Sequence, residues 1–132
     1  MTVARDIHAT VFRNATATFM ARVENAVGQA ITQASVASVH YTVFELDAVD
    51  PTSLMAVIGH DDVVLAASDV IFDTLQSDES WTVDATGYNF RHELDVSSNE
   101  AFAKAGGLYQ VRYELIAVVG QKIVFRFKLR CI

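Results

Sequence analysis

The chain has 132 residues, 52% of them hydrophobic and 20% charged, with a formal net charge of −6. That length suits one domain able to bury roughly two-thirds of its unfolded surface, and the hydrophobic content excludes a disordered, solvating chain. Ten Lys plus Arg against sixteen Asp plus Glu argue against nucleic acid, whose affinity rests on basic side chains displacing counterions.

The opening segment, residues 3–12, reads as an N-terminal edge strand or arm, so residues 1–14 are set apart from one sandwich domain over residues 15–132. The start, MTVARDIHATVFR, lacks the apolar run of a secretory signal. No segment approaches the ~20 apolar residues of a membrane-spanning helix. Synthesis without export and no membrane partner are the resulting expectations.

TATFMARVE alternates Ala17, Phe19, Ala21 and Val23 against Thr18, Met20, Arg22 and Glu24, the period of a half-buried strand. NAVGQ then supplies turn chemistry through Asn25 and Gly28. SVHYTVFEL carries apolar groups on both faces. It is either a central strand covered on both sides or a strand with a bulge. Pro51 and its polar neighbours end it. LMAVI and VVLAA flank GHDD and predict a hairpin with a solvated tip. SDVIFDTLQ fits two readings. Ser68 could cap a short helix near residues 68–76 with Val70, Ile71 and Leu75 on one face, or residues 70–72 form a strand.

The C-terminal third alternates more strictly. In WTVDATGYNFRHELDV, residues 81–83 end one element and residues 84–87 turn the chain. Tyr88, Phe90, His92 and Leu94 then point inward, and Asn89, Arg91 and Glu93 outward. Tyr109, Val111, Tyr113 and Leu115 oppose Gln110, Arg112 and Glu114 in the next strand. The last sets Ile123, Phe125, Phe127, Leu129 and Cys131 against Val124, Arg126, Lys128 and Arg130. AVVGQK joins these two as a hairpin.

About seven to nine short strands predict an all-β, antiparallel sandwich. AGGLYQV, with Gly107 and Tyr109 opening a strand and Val111 two residues later, resembles the tyrosine corner of immunoglobulin-like sandwiches. In that resemblance Val111 stands where the second core cysteine would, opposite Phe19, Ala21 or Val23. The single cysteine, Cys131, excludes an intrachain disulfide and a thiolate zinc site, and its place beside the C-terminus suggests a fraying end.

Chemistry-bearing patterns are few. No nucleophile elbow, P-loop, dinucleotide fingerprint or paired-histidine zinc motif occurs. A Ser/His/Asp triad can be composed from scattered residues in most chains, so its availability carries nothing. GHDD, joined by Asp47 or Asp50, has metal-ligand chemistry, but a solvated turn yields the same letters; no cofactor and no metal are expected. The basic stripe Arg126, Lys128 and Arg130, with Arg112 beside it, is either a docking face for an acidic partner or a solvent face guarding an edge. Trp81, Asn89 and Arg91 complete the partner-contact candidates.

TATFMARVENAVGQAIT, GYNFRHEL and GLYQVRYEL…GQKIVFRFKL resemble, in strand-and-turn style, the small Ig-like accessory proteins of tailed bacteriophages, including the N-terminal domains of baseplate upper proteins. That resemblance implies a non-enzymatic virion component made in the host cytoplasm: a capsid decoration, neck, tail or fibre-associated protein. It implies self-association or docking on other virion proteins, and carries over no catalytic residue. The alternative is an Ig-like module recognising a carbohydrate or host surface through end loops, with Trp81, Tyr88, Asn89 and residues 61–62 as its site.

Overall fold

The computed structural model describes residues 6–47, 49–50 and 52–132. Pro51 and residues 1–5 of the N-terminal segment lie outside this set. Among the described residues nine strands occur: β1 (Asp6–Val11), β2 (Thr18–Ala21), β3 (Val36–Leu46), β4 (Leu54–Ala56), β5 (Val63–Leu65), β6 (Ile71–Gln76), β7 (Tyr88–Glu93), β8 (Leu108–Ala117) and β9 (Lys122–Cys131). One helical turn, α1 (Ala67–Val70), precedes β6. Both readings of SDVIFDTLQ therefore hold in part. The turn ends at Val70, and Ile71 enters extended backbone to pair with Phe90 of β7. Its N-cap is Ala66 rather than Ser68.

The strands make a large sheet in the order β1-β9-β8-β3-β4, with β5 also on β3, and a small sheet in the order β2-β7-β6. This all-β sandwich has the strand order of an immunoglobulin variable-type domain, with strands C′, C, F and G in one sheet and B, E and D in the other. All pairings are antiparallel except β1 with β9, which is parallel. The chain enters along the final strand and then crosses to β2 in the other sheet.

Alternation puts one face of each strand in the core. Val39, Tyr41 and Val43 of β3 and Val111, Tyr113 and Leu115 of β8 are buried. Opposite them stand Phe19 and Ala21 of β2 and Phe90 of β7. The aromatic rings interlock: Phe90 meets Tyr113 edge-on at 4.8 Å, and Tyr113 stacks on Phe125 at 5.2 Å. Both geometries are favoured by the ring quadrupole. Val111, Phe19, Ala21 and Val23, the positions matched to the core cysteines of covalent sandwiches, are all buried members of one hydrophobic core.

SVHYTVFEL meets its two readings only in part: just one of its faces is buried, with Val39, Tyr41 and Val43 in the core and His40, Thr42 and Phe44 half-buried on the other side. It is central, between β8 and β4, and its register on β8 shifts between Val36 and Ser38.

GHDD is not a hairpin tip. β4 and β5 both pair antiparallel to β3, through Phe44↔Ala56 and Tyr41↔Val63. They are two pieces of one edge strand, and residues 57–62 bulge between them. Val57 N donates to Val43 O, and Val43 N donates to His60 O, so the excursion stays anchored. The bulge turns His60 inward to 2% exposure. Cys131 is no frayed end either: it is buried, its N–H donates to Gly107 O, and Gly106 N donates to its carbonyl.

Candidate functional site

The tyrosine corner is present in its expected form. Lys104 N donates to Tyr109 Oη at 3.0 Å, and Phe102 packs edge-on against the ring at 5.4 Å. A Cβ on Gly107 would lie 2.9 Å from Lys104 O and 3.1 Å from the Tyr109 ring. The glycine is thus what lets the chain pass this close.

Beneath the sheets lies a paired Tyr/His arrangement. Tyr41 Oη bonds His60 Nδ1 at 2.8 Å, and His60 Nε2 bonds the Asn99 carbonyl at 2.7 Å. Since a carbonyl only accepts, Nε2 carries a proton. Tyr113 Oη bonds His92 Nδ1 at 2.7 Å, and the Tyr41 ring lies 4.9 Å from that of His92. Burial, then the charge on His60, hold the His92 imidazole down to about 4. Burial also raises the phenols of Tyr41 and Tyr113. At neutral pH the His92 ring is an uncharged structural partner.

The expected contact residues do not converge. Asn89 was expected to face outward and is buried at 1% exposure. Its Oδ1 accepts from Val23 N at 2.7 Å, and its Nδ2 donates to Val23 O at 2.9 Å. The side-chain amide replaces a strand neighbour just beyond the end of β2, which strict alternation hides. Trp81 lies in the loop after β6, half-buried, with its ring 5.6 Å from Tyr88 and Nε1 donating to Asp84 Oδ1. Residues 81–83 accordingly sit well past the end of β6 at Gln76. Arg91 is exposed on β7. Arg126 and Lys128, half-buried, and Arg130, exposed, share the outer face of β9; Arg112 stands directly opposite Arg126. Arg112 pairs with Glu114 at 3.0 Å, which Lys122 also reaches at 3.3 Å. The Arg112 Nε has no hydrogen-bond partner among the described residues. Trp81 and residues 61–62 flank opposite edges of the large sheet, and Tyr88 is buried. These residues do not form one end-loop site.

Asp61 and Asp62 remain exposed, while both His60 ring nitrogens are engaged. Metal ligation by the GHDD set would break those bonds, and no group of three or more His, Cys, Asp or Glu gathers among the described residues.

One array has the connectivity of a nucleophile, a base and an orienting acid. His40 Nε2 bonds Ser38 Oγ at 3.2 Å, and His40 Nδ1 bonds Asp62 Oδ1 at 3.0 Å. Asp62 holds φ at 50°, fixed by donation of its N–H to Thr42 Oγ1. Acyl transfer also needs donors set where the oxyanion forms. The adjacent polar cleft of about 290 Å³ is lined by His40, Thr42, Asp62, Arg112 and Glu114. Its cation, Arg112, stands opposite Thr42, four residues along β3 from Ser38. Its guanidinium is held by Glu114 at 3.0 Å.

A second cleft, of about 320 Å³, opens on the flank between β1 and β2. Ile7, Val11, Phe12, Phe19, Met20 and Trp81 give it apolar walls.

No protein-family model, curated protein or solved structure matches this chain. Among the described residues no helix is long and apolar enough to cross a membrane.

Proposed function

We propose that this chain is a non-enzymatic structural protein, a tailed-bacteriophage virion component such as a capsid decoration, neck, tail or fibre-associated protein, that works by docking on protein neighbours. The open flank of the sandwich carries this reading. β1 and β2 are each the last strand of their sheet on that side. Leu94 N donates to Ala17 O. Antiparallel alternation then directs the N–H and C=O of Thr18 and Met20 away from β7, toward the flank. An unpaired edge of this kind is a template for another strand. The apolar cleft beside it accepts the side chains such a strand projects on one face.

An extended segment of a neighbouring virion protein fits both features: its main chain meets Thr18 and Met20, and its apolar side chains enter between Phe12 and Trp81. The virion setting comes from the resemblance of the strand-and-turn pattern to Ig-like phage accessory proteins. Mass spectrometry of purified particles, after cross-linking through a cysteine placed at Thr18 (Thr18→Cys), tests it. The expected result is this chain in the particle, joined to another virion protein through that position. Absence from particles would overturn the virion assignment, and cross-links mapping only elsewhere would overturn the flank as the docking site.

A further inference from the structure

Charge is segregated along this chain. Between Arg22 and Arg91 there are eleven acidic residues and neither lysine nor arginine. The rest of the chain holds all ten basic residues against five acids. The fold converts this into a large sheet divided lengthwise. β3, β4 and β5 come from the acidic stretch, and β1, β8 and β9 from the basic remainder.

The outward face of that sheet is the one opposite the buried Tyr41, Val111 and Phe127. Along β9 and β8 it presents Lys122, Arg126, Lys128, Arg130 and Arg112, with Glu114 the acid between them. Beyond β3, the other border carries exposed Asp61 and Asp62, and exposed Asp47 and Asp50 in the loop leading to β4. Between the two borders, Leu46 stands opposite both Leu108 and Leu54, and Phe44 opposite Gln110. Leu54 and Leu108 are exposed.

We infer that this face pairs with the same face of a second copy around a two-fold axis running along the strands. Such an axis lays the basic β9 side of one copy over the acidic β4–β5 border of the other, twice by symmetry. An in-plane axis across the strands would set base over base and acid over acid, and like charges juxtaposed at an interface are costly. The charge pattern therefore selects both the occupant and the orientation, and the leucines and Phe44 fill the centre. This inference rests on reading the protein as an interaction module. It uses a different surface from the open flank, so either can fail alone.

Sedimentation equilibrium of the full chain tests it, with circular dichroism to verify folding. The dimer dissociation constant is expected to weaken at least roughly tenfold between about 50 and about 500 mM NaCl, as screening shortens the reach of exposed charges. Arg126→Glu with Arg130→Glu, and separately Asp61→Lys with Asp62→Lys, each yield monomers. An equimolar mixture of the two variants restores a heterodimer, because both contacts then pair opposite charges again. A wild-type monomer at low salt overturns the inference, as does a salt-insensitive dimer or a mixture that stays monomeric. If the dimer forms but particles lack the chain, the virion reading falls and the dimer stands.

Discussion

At the scale of single residues, one polar group that looked like contact chemistry holds the fold instead. Asn89 serves as a backbone surrogate, satisfying both the N–H and the C=O of Val23. Asn89→Ala leaves those two buried groups without partners, each at roughly 1–3 kcal/mol, so urea unfolding should show a loss of about 3 kcal/mol. Asn89→Asp should cost at least as much, because a carboxylate oxygen then faces the Val23 carbonyl; a neutral substitution would refute the role. Tyr109→Phe removes one acceptor and strands Lys104 N, which predicts about 1–2 kcal/mol in the same assay. Tyr109 was legible from Gly107 and the strand that follows, because sterics and a single hydrogen bond define that corner locally. Asn89 was not: period-two patterning assigns faces, and Asn89 is covered by the chain running on from β2, whose Val23 and Ile31 main chain it bonds.

At the scale of elements, the alternating strands β7, β8 and β9 could be read directly because each turns its apolar side toward the core. The edge between residues 54 and 65 could not. Strands of three residues carry too little alternation to declare their partners, and β4 and β5 pair with β3 rather than with each other. The letters GHDD suggested a wet turn, whereas His60 finds Tyr41 and Asn99 inside. Its neighbour Gly59 sits at φ +85°, with Asn99 occupying the space a Cβ would need. A harder constraint lies where the loop after β6 returns to β7. Gly87 has φ +104°, and a Cβ there would meet the Gln76 carbonyl, which is main chain and cannot swing aside. Gly87→Ala should therefore destabilise by more than ~3 kcal/mol through combined backbone strain and overlap. Amide exchange should show the loss first at β6 and the β6–β7 loop. Uniform protection in the variant would mean the loop can rearrange freely.

At the scale of the whole molecule, fold class was readable because composition, alternation and turn spacing agree, whereas function was not, because the sequence holds none of the motifs that carry a chemical mechanism. Charge segregation and open edges emerge only once strands far apart in sequence lie side by side. The core itself carries a pH signature. His92 is buried at 7% exposure with its pKa lowered from 6.5 to about 4, and it faces Tyr113, Tyr41 and His60. In the unfolded chain the imidazole takes up a proton below about 6.5, while in the folded sandwich it does not until about 4. Over that window the unfolded state binds more protons, so stability falls as pH falls. The stabilisation is fully present above pH 6.5, and the loss by pH 4 reaches roughly 3 kcal/mol. Asp47, Asp50, Asp78, Asp84 and Asp95, all shifted below the usual carboxylate range by local hydrogen bonds, add their losses at more acidic pH. Urea unfolding between pH 7 and pH 4.5 separates the two regimes. Wild type should lose stability steadily across that range, and His92→Gln, less stable at pH 7, should be much flatter. Equal slopes for both proteins would show that His92 already carries its charge in the folded core.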